Sequence, residues 1–370
     1  MAEKRRDKGD GSIYFRESDK RWVAKYTHTT GAKPKVLYGK TEQEVKKKLR
    51  EYKKEVAKHG YQGTQKSTVK EYLDKWFREV KINELKPKSI DDLSSTINRV
   101  CQSIGDLQMA SLTANDIQGM INHMVSEGYA FATIKKAYNA VNACFKLGVI
   151  KGDIIQNPCL GVRPPKGIEK KRKDIRFFIP EEIEKICAEC LKKYGNDKPV
   201  YRLGHAIILL LHTGMRIGEL LGLKWKDIDY ENRTLKINSS VVFVINRDSN
   251  KEEDAPKYHL LHQESTKTGS GIRTVHLNPK AIDALKNIQL FNGNREYVMA
   301  SSNNNIISPR NFDRMLRIVL TKCGIEPTGA HTLRHTFASM LFRNGVDVKT
   351  VSELLGHSDV SITYNIRIFI

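Results

Sequence analysis

A chain of 370 residues, 39% hydrophobic and 28% charged, suits two or three globular domains with at least one sizeable core. Its 63 Lys plus Arg against 42 Asp plus Glu give a formal charge of +21, a surplus that attracts a polyanion because each neutralised phosphate releases condensed counterions. Residues 1–10 are charged with no apolar run behind them, and the longest apolar stretch, residues 206–211, is too short to span a bilayer. Six cysteines scattered through a Lys-rich chain read as reduced thiols, so the expectation is a cytoplasmic protein with no membrane partner.

Residues 1–60 are the most one-sided, with 18 Lys or Arg against 9 Asp or Glu. Short aromatic or β-branched runs at 12–15, 22–26 and 35–37, separated by Asp19 and Gly31, predict three small strands. Thr41 and Glu44 form a capping box that opens a helix over 42–58. A basic sheet interleaved with Tyr14, Phe15, Trp22 and Tyr26 fits a strand surface laid against DNA, with Tyr14, Arg16, Arg21, Trp22 and Lys25 as contacts. The plainer alternative is a solvated small domain with half a core.

Helical periodicity follows, at 69–80 with Tyr72, Trp76 and Phe77 on one side, then at 90–104, 115–128 and 131–149. Lys86, Lys88, Lys135 and Lys136 make this four-helix unit basic, and Lys86, Lys88 and Lys135 join the expected DNA contacts. Pro158, Pro164 and Pro165, with the basic run 166–173, read as a linker. Beyond it the chain is helix-rich, with helices expected at 180–191, 200–211, 279–288, 309–323, 332–344 and 348–355. Strands at 234–237 and 273–277 bracket a polar segment that includes Lys267. Cys187 and Cys190 form a lone C-x-x-C, better read as helix-face thiols than as zinc ligands.

Four patterns in this last part carry chemistry. They are Thr213-Gly214-Met215-Arg216-Ile217-Gly218-Glu219, Ser265-Thr266-Lys267-Thr268-Gly269, His331-Thr332-Leu333-Arg334-His335 and Leu354-Leu355-Gly356-His357-Ser358. In this order they resemble the tyrosine recombinase family, and the layout is similar to integrases of phages and conjugative transposons. The resemblance implies a mainly α, multidomain chain. Its parts are a sheet-plus-helix arm-type DNA-binding domain (1–62), a helical core-binding domain (63–165) and an α+β catalytic domain (175–370), read as C-terminally truncated. It further implies that Arg216, Lys267, His331, Arg334 and His357 surround a scissile phosphate. The activity implied is site-specific cutting and rejoining of double-stranded DNA through a 3′-phosphotyrosine, by a homo-tetramer and without cofactor or metal. An accessory excision factor is a further candidate partner.

The residue types suit that chemistry. Guanidiniums bind the non-bridging oxygens bidentately without losing their charge. A hairpin Lys protonates the leaving 5′ oxygen, and histidines titrate near neutrality. Lys257 and Arg273 lie near enough in sequence to compete with Lys267, and Arg216 alternatively pairs with Glu219. His331 and His335 at i, i+4 lack the glutamate of a zinc protease motif, and His335 is read as a supporting group.

One departure stands out. The family's nucleophilic Tyr lies nine or ten residues after the last His, and here those positions are Ile366 and Arg367. The nearest phenol, Tyr364, comes seven residues after His357. A relative that binds recombination sites without cutting is therefore the alternative reading, and a metal-dependent nuclease is remote for want of a carboxylate cluster.

Overall fold

The computed structural model describes residues 12–26, 34–59, 67–154, 156–163, 175–247, 258–264, 272–293, 295–301 and 305–368. They divide into two units, Met1–Lys171 and Arg172–Ile370. The first unit holds two separate hydrophobic clusters, one under a sheet and one among helices.

Strands β1 (Ser12–Arg16), β2 (Arg21–Tyr26) and β3 (Lys35–Gly39) form an antiparallel sheet in that order. Tyr14 and Tyr38 flank Val23, and Arg16 opposes Arg21, so period-two alternation puts these residues and Lys25 on one face. Helix α1 (Glu42–His59) covers the other face, where Ala24, Val45 and Leu49 pack with Ile13, Trp22, Tyr26 and Leu37. Trp22 is thus a correction to the expected DNA surface: it alternates with Val23 and turns toward the helix, edge-on to Phe15 at 5.5 Å. Its place on the open face is taken by Tyr38, over whose ring Arg16 sits at 5.5 Å. Thr41 caps α1 by accepting from the Glu44 N–H, while the Glu44 carboxylate accepts from the Lys40 N–H, one residue before the expected cap.

The helical part begins with α2 (Val69–Trp76), closed by a reciprocal Thr68–Glu71 capping box. A π-helical turn, Phe77–Lys81, leads into the short α3 (Ile82–Glu84), so the single helix expected to residue 80 is interrupted. Helices α4 (Pro87–Ile104), α5 (Ala114–Ser126) and α6 (Phe131–Lys151) complete it. A Cβ on Gly148 would come within 2.4 Å of the Tyr72 hydroxyl, so glycine here lets α2 and α6 approach and Tyr72 reach Asp153 at 3.0 Å.

The second unit runs through α7 (Pro180–Cys190), α8 (Gly204–Thr213) and α9 (Ile217–Gly222). Then come β4 (Ile228–Asp229), β5 (Thr234–Ile237), β6 (Ser239–Ile245), β7 (Tyr258–Glu264) and β8 (Arg273–His276). It closes with α10 (Pro279–Asn292), α11 (Pro309–Lys322), α12 (His331–Arg343), α13 (Val348–Leu355) and α14 (Val360–Arg367). Helix α8 is buried along nearly its whole length and centres a core that includes Ile186, Leu220, Leu285, Phe312 and Leu333. Strands β4-β5-β8 form one sheet; β6 and β7 pair separately inside the stretch read as a polar segment, with Val241 and Val244 buried. Cys190 is buried and burial pushes its thiol up, in keeping with a core thiol.

Candidate active site

Helix α8 ends at Gly214 in the left-handed region, at φ +63°, and a Cβ there would meet Phe337 Cδ1 at 2.3 Å. Only glycine makes this reversal against the Phe337 ring, and the reversal sets Arg216 at the mouth of α9. The Arg216 N–H donates to Glu219 Oε2 at 2.9 Å, Nη1 donates to Glu219 Oε1 at 2.8 Å, and Nη2 donates to the Gly356 carbonyl at 3.1 Å. Its side chain stays 39% exposed. Arg216 thus pairs with Glu219 and still presents an open edge.

Arg334, in the first turn of α12, is 1% exposed. Its Nη1 donates to the Gly214 carbonyl at 2.9 Å and its Nη2 to the Leu355 carbonyl. It ties the turn carrying Arg216 to the turn carrying His357. Arg273 on β8 donates Nε to the Leu354 carbonyl at 2.9 Å and both terminal nitrogens to Glu219, at 3.1 and 2.8 Å. Three guanidiniums therefore sit on three successive carbonyls, Leu354 to Gly356, at the C-terminal end of α13, where unsatisfied carbonyls concentrate negative charge.

His357 follows the left-handed Gly356, and its Nδ1 shares a 2.8 Å hydrogen bond with Thr363 Oγ1 on α14. Burial, then the charges of Arg334 and Arg216 with His331 and His335 behind them, push it down to about 4. Those perturbing groups come from the N-cap of α9 and from α12, so the elements converge on one place. His331 opens α12 with a solvent-facing edge; partial burial, Arg334 and Arg216 lower it. His335 stacks edge-on to His331 at 4.8 Å and is pushed down to about 4 by burial, His331 and Arg334. Its buried Nδ1 has no hydrogen-bond partner among the described residues. Also among the described residues, no group of three or more His, Cys, Asp or Glu is arranged to hold a metal ion.

The fold thus gathers Arg216, His331, Arg334 and His357, while Lys267 and Lys257 lie outside the described residues. On α14, Thr363 and Ile366 are buried, so Tyr364 and Arg367, each one position later, share a neighbouring flank one turn apart. Tyr364 is 54% exposed. Lys86, Lys88 and Lys135 are exposed in the first unit, Lys88 lying 3.7 Å from Asp92. Sequence reasoning missed what Glu219, Arg273 and Thr363 do together. Its one usable signal was Arg273 two positions before the buried Val275, a charge at an inward-facing strand position.

Residues 176–366 match the phage integrase family, and residues 68–125 match the N-terminal SAM-like domain of phage integrases. The chain is 31% identical over 353 residues to a tyrosine recombinase XerC-like protein of Caldanaerobacter subterraneus subsp. tengcongensis, covering 90% of this chain and 87% of that protein. It is 25% identical over 270 residues to the ICEBs1 integrase of Bacillus subtilis, covering 69% of this chain and 66% of that one. In fold it is similar to the Tn1549 transposon integrase solved with transposon right end DNA, at TM-score 0.67 and 22% identity over 81% of this chain and 94% of that chain. It is also similar to a lambda integrase dimer bound to a COC′ core site, at TM-score 0.60 and 19% identity over 98% and 96%. With more than half of its length matched by the family and a relative aligned along nearly all of it, the chain belongs to the phage integrase family, the tyrosine recombinases.

Proposed function

We propose that the chain is a site-specific DNA recombinase, and that the cluster on the α13 carbonyls is its scissile-phosphate site. The observation that carries this is the convergence of Arg216, Arg334, His331 and His357 from α9, α12 and the turn after α13, with one guanidinium edge and one imidazole edge left open. Arg216 binds a non-bridging oxygen and stabilises the charge that grows there in the five-coordinate transition state. Arg334 contributes its charge from below while holding the two turns in register. In the reading that the resemblance supplies, a phenol oxygen attacks phosphorus, and the 5′ oxygen leaves with a proton from Lys267. The phosphotyrosine keeps the bond energy for rejoining. The open face of the N-terminal sheet, with Tyr14, Arg16, Arg21, Lys25 and Tyr38, and the exposed Lys86, Lys88 and Lys135 bind the duplex.

Lambda integrase has been solved as a dimer on a core site and as a tetramer bound to a Holliday junction, and assembly of this chain into a tetramer on DNA is proposed on that likeness. An accessory excision factor and a cytoplasmic location belong to the same proposal; among the described residues no helix is long and apolar enough to cross a membrane.

The relatives are named as recombinases and integrases, and nothing in those likenesses favours a protein that does not cut. The nucleophile is the part that this sequence writes differently. Tyr364 is the phenol that α14 offers, about 4.5 Å of helical rise before Arg367. A duplex carrying the recombination site with a nick beside the cleavage position traps a covalent adduct and tests the reading with chelator present. An adduct lost in Tyr364→Phe makes Tyr364 the nucleophile. An adduct that forms only in Arg367→Tyr, and is lost again with Arg216→Ala, shows an intact phosphate site in a chain that lacks its phenol. No adduct in either protein overturns the assignment of the site.

A further inference from the structure

Arg273 has no part in the steps above, yet it makes more side-chain hydrogen bonds to the cluster than Arg216 does. Its side chain and that of Glu219 are both 7% exposed. The Glu219 carboxylate is saturated: Oε1 accepts from Arg216 Nη1 and Arg273 Nη1, and Oε2 accepts from the Arg216 N–H and Arg273 Nη2. Burial alone would push this carboxyl up, but the Arg273 hydrogen bonds and charge, then those of Arg216, outweigh it and hold it low. It is therefore a fixed anion wedged between two guanidiniums.

The two guanidiniums are not equivalent. Arg273 takes both oxygens with its planar fork and anchors its Nε on Leu354, which fixes the plane of the carboxylate. Arg216 takes one oxygen with one side-chain nitrogen and keeps an exposed edge. Without Arg273 the carboxylate would keep only the Arg216 N–H and Nη1 as partners, and its whole charge would fall on Arg216. That would cancel the positive field at the place where a phosphate must dock.

We propose that Arg273 is a positioning residue of the phosphate site: it holds Glu219 in the plane that orients Arg216 and takes up the carboxylate's charge, leaving the open edge of Arg216 for a phosphate oxygen. The role rests on the phosphate-site reading and requires no nucleophile, so it is testable without cleavage.

The probe is inorganic phosphate, titrated at neutral pH into the full chain with labelled histidines, while the ring C–H signals of His331 and His357 are followed by NMR. The unsubstituted chain shows saturable shifts, Arg216→Gln weakens phosphate binding the most, to an affinity read only at high phosphate, and Arg273→Gln weakens it by about tenfold, the scale of one charged hydrogen bond. Arg216→Gln with Arg273→Gln binds no worse than Arg216→Gln alone, because Arg273 acts through Arg216. Arg273→Lys, which restores the charge without the fork, recovers part of the affinity. If Arg273→Gln fails to unfold cooperatively in urea, the comparison is made with Arg273→Lys, for which a partial loss of phosphate affinity is expected. Phosphate binding unchanged in both Arg273 variants overturns the proposal, as does a double variant weaker than Arg216→Gln. Absence of any shift in the unsubstituted chain overturns the phosphate site itself, and the role of Arg273 with it.

Discussion

On the N-terminal sheet Arg21 and Lys25 stand on an open face beside Tyr14 and Tyr38, which keep 42% and 43% of their surface. In the second unit Arg334 and Arg273 are sunk to 1% and 7% and spend their donors on backbone carbonyls and Glu219. The same residue type does different work in the two places. An exposed cation gains affinity for a polyanion by releasing counterions, costs little to maintain and is silenced by salt. A buried one carries a large desolvation cost that only well-placed acceptors offset, and in return it fixes geometry and field. Burial and the nearby Arg216 charge push Arg334 down to about 9, which leaves it charged at neutral pH. The basic surplus of the sequence is thus divided between exposed cations on an open sheet face and buried arginines that tie three turns together.

The sharpest way to break this contrast is Arg334→Ala. It leaves the Gly214 and Leu355 carbonyls without their donors in a buried place, and we expect a loss of roughly 3–5 kcal/mol in unfolding free energy. Arg216→Ala removes a side chain that is 39% exposed, and its stability cost should stay within about 1 kcal/mol even though phosphate binding is lost. Urea unfolding of the two variants decides it. Equal costs would mean that burial does not separate a structural arginine from a ligand-binding one here.

The histidines give the next effect. His335 and His357 sit at about 4 in the folded chain against an ordinary 6.5, each held neutral first by burial, then His335 by His331 and Arg334 and His357 by Arg334 and Arg216. Between those values the unfolded chain binds more protons than the folded one. The stabilisation is therefore complete above pH 6.5 and drains away as the pH falls toward 4. The urea midpoint should drop across that window, and His357→Gln should flatten the drop. Phosphate brings negative charge and should shift His357 back up. A midpoint that ignores pH between 6.5 and 4 would show that burial does not hold His335 and His357 neutral in the folded chain.

Periodicity and capping made the helical framework legible, because α4, α5, α6, α11 and α13 each bury one stripe and most open on a Pro or a capping side chain. Three of the four short patterns hold the residues that the fold gathers, Arg216, His331, Arg334 and His357, since local order along the chain is kept in the fold; the fourth, with Lys267, lies outside the described residues. What escaped was set by partners distant in sequence. Strand β6 went unread because its buried Val241 and Val244 lie in a segment whose polar residues dominate composition. Trp22 parts from Tyr14, Arg16, Arg21 and Lys25 because aromatic content does not say which side of a strand meets a helix; the register with β3 does. The π-helical turn after Trp76 leaves no pattern to read. Arg273 and Glu219 meet across 54 positions, and nothing local announces a carboxylate shared by two guanidiniums.

The smallest effect belongs to the open sheet, and it sharpens the contrast from the other side. Arg21→Gln with Lys25→Gln removes two charges that the register places on the face opposite α1. If each neutralises one phosphate, the slope of log K against log salt should fall by about 0.9 per residue, with an affinity loss that is largest at low salt and shrinks as salt rises, and no change in stability. Trp22→Ala should do the reverse: the indole packs with Ala24, Val45 and Leu49, so its loss should destabilise the small core while leaving the salt slope alone. Fluorescence anisotropy of a labelled random-sequence duplex over a salt series, beside thermal unfolding of the same proteins, separates the two. A Trp22 variant that loses slope without losing stability would turn the sheet around and place the DNA on the helix side. A double-glutamine variant with an unchanged slope would take Arg21 and Lys25 off the DNA, and the surplus in residues 1–60 would then need another surface to act through.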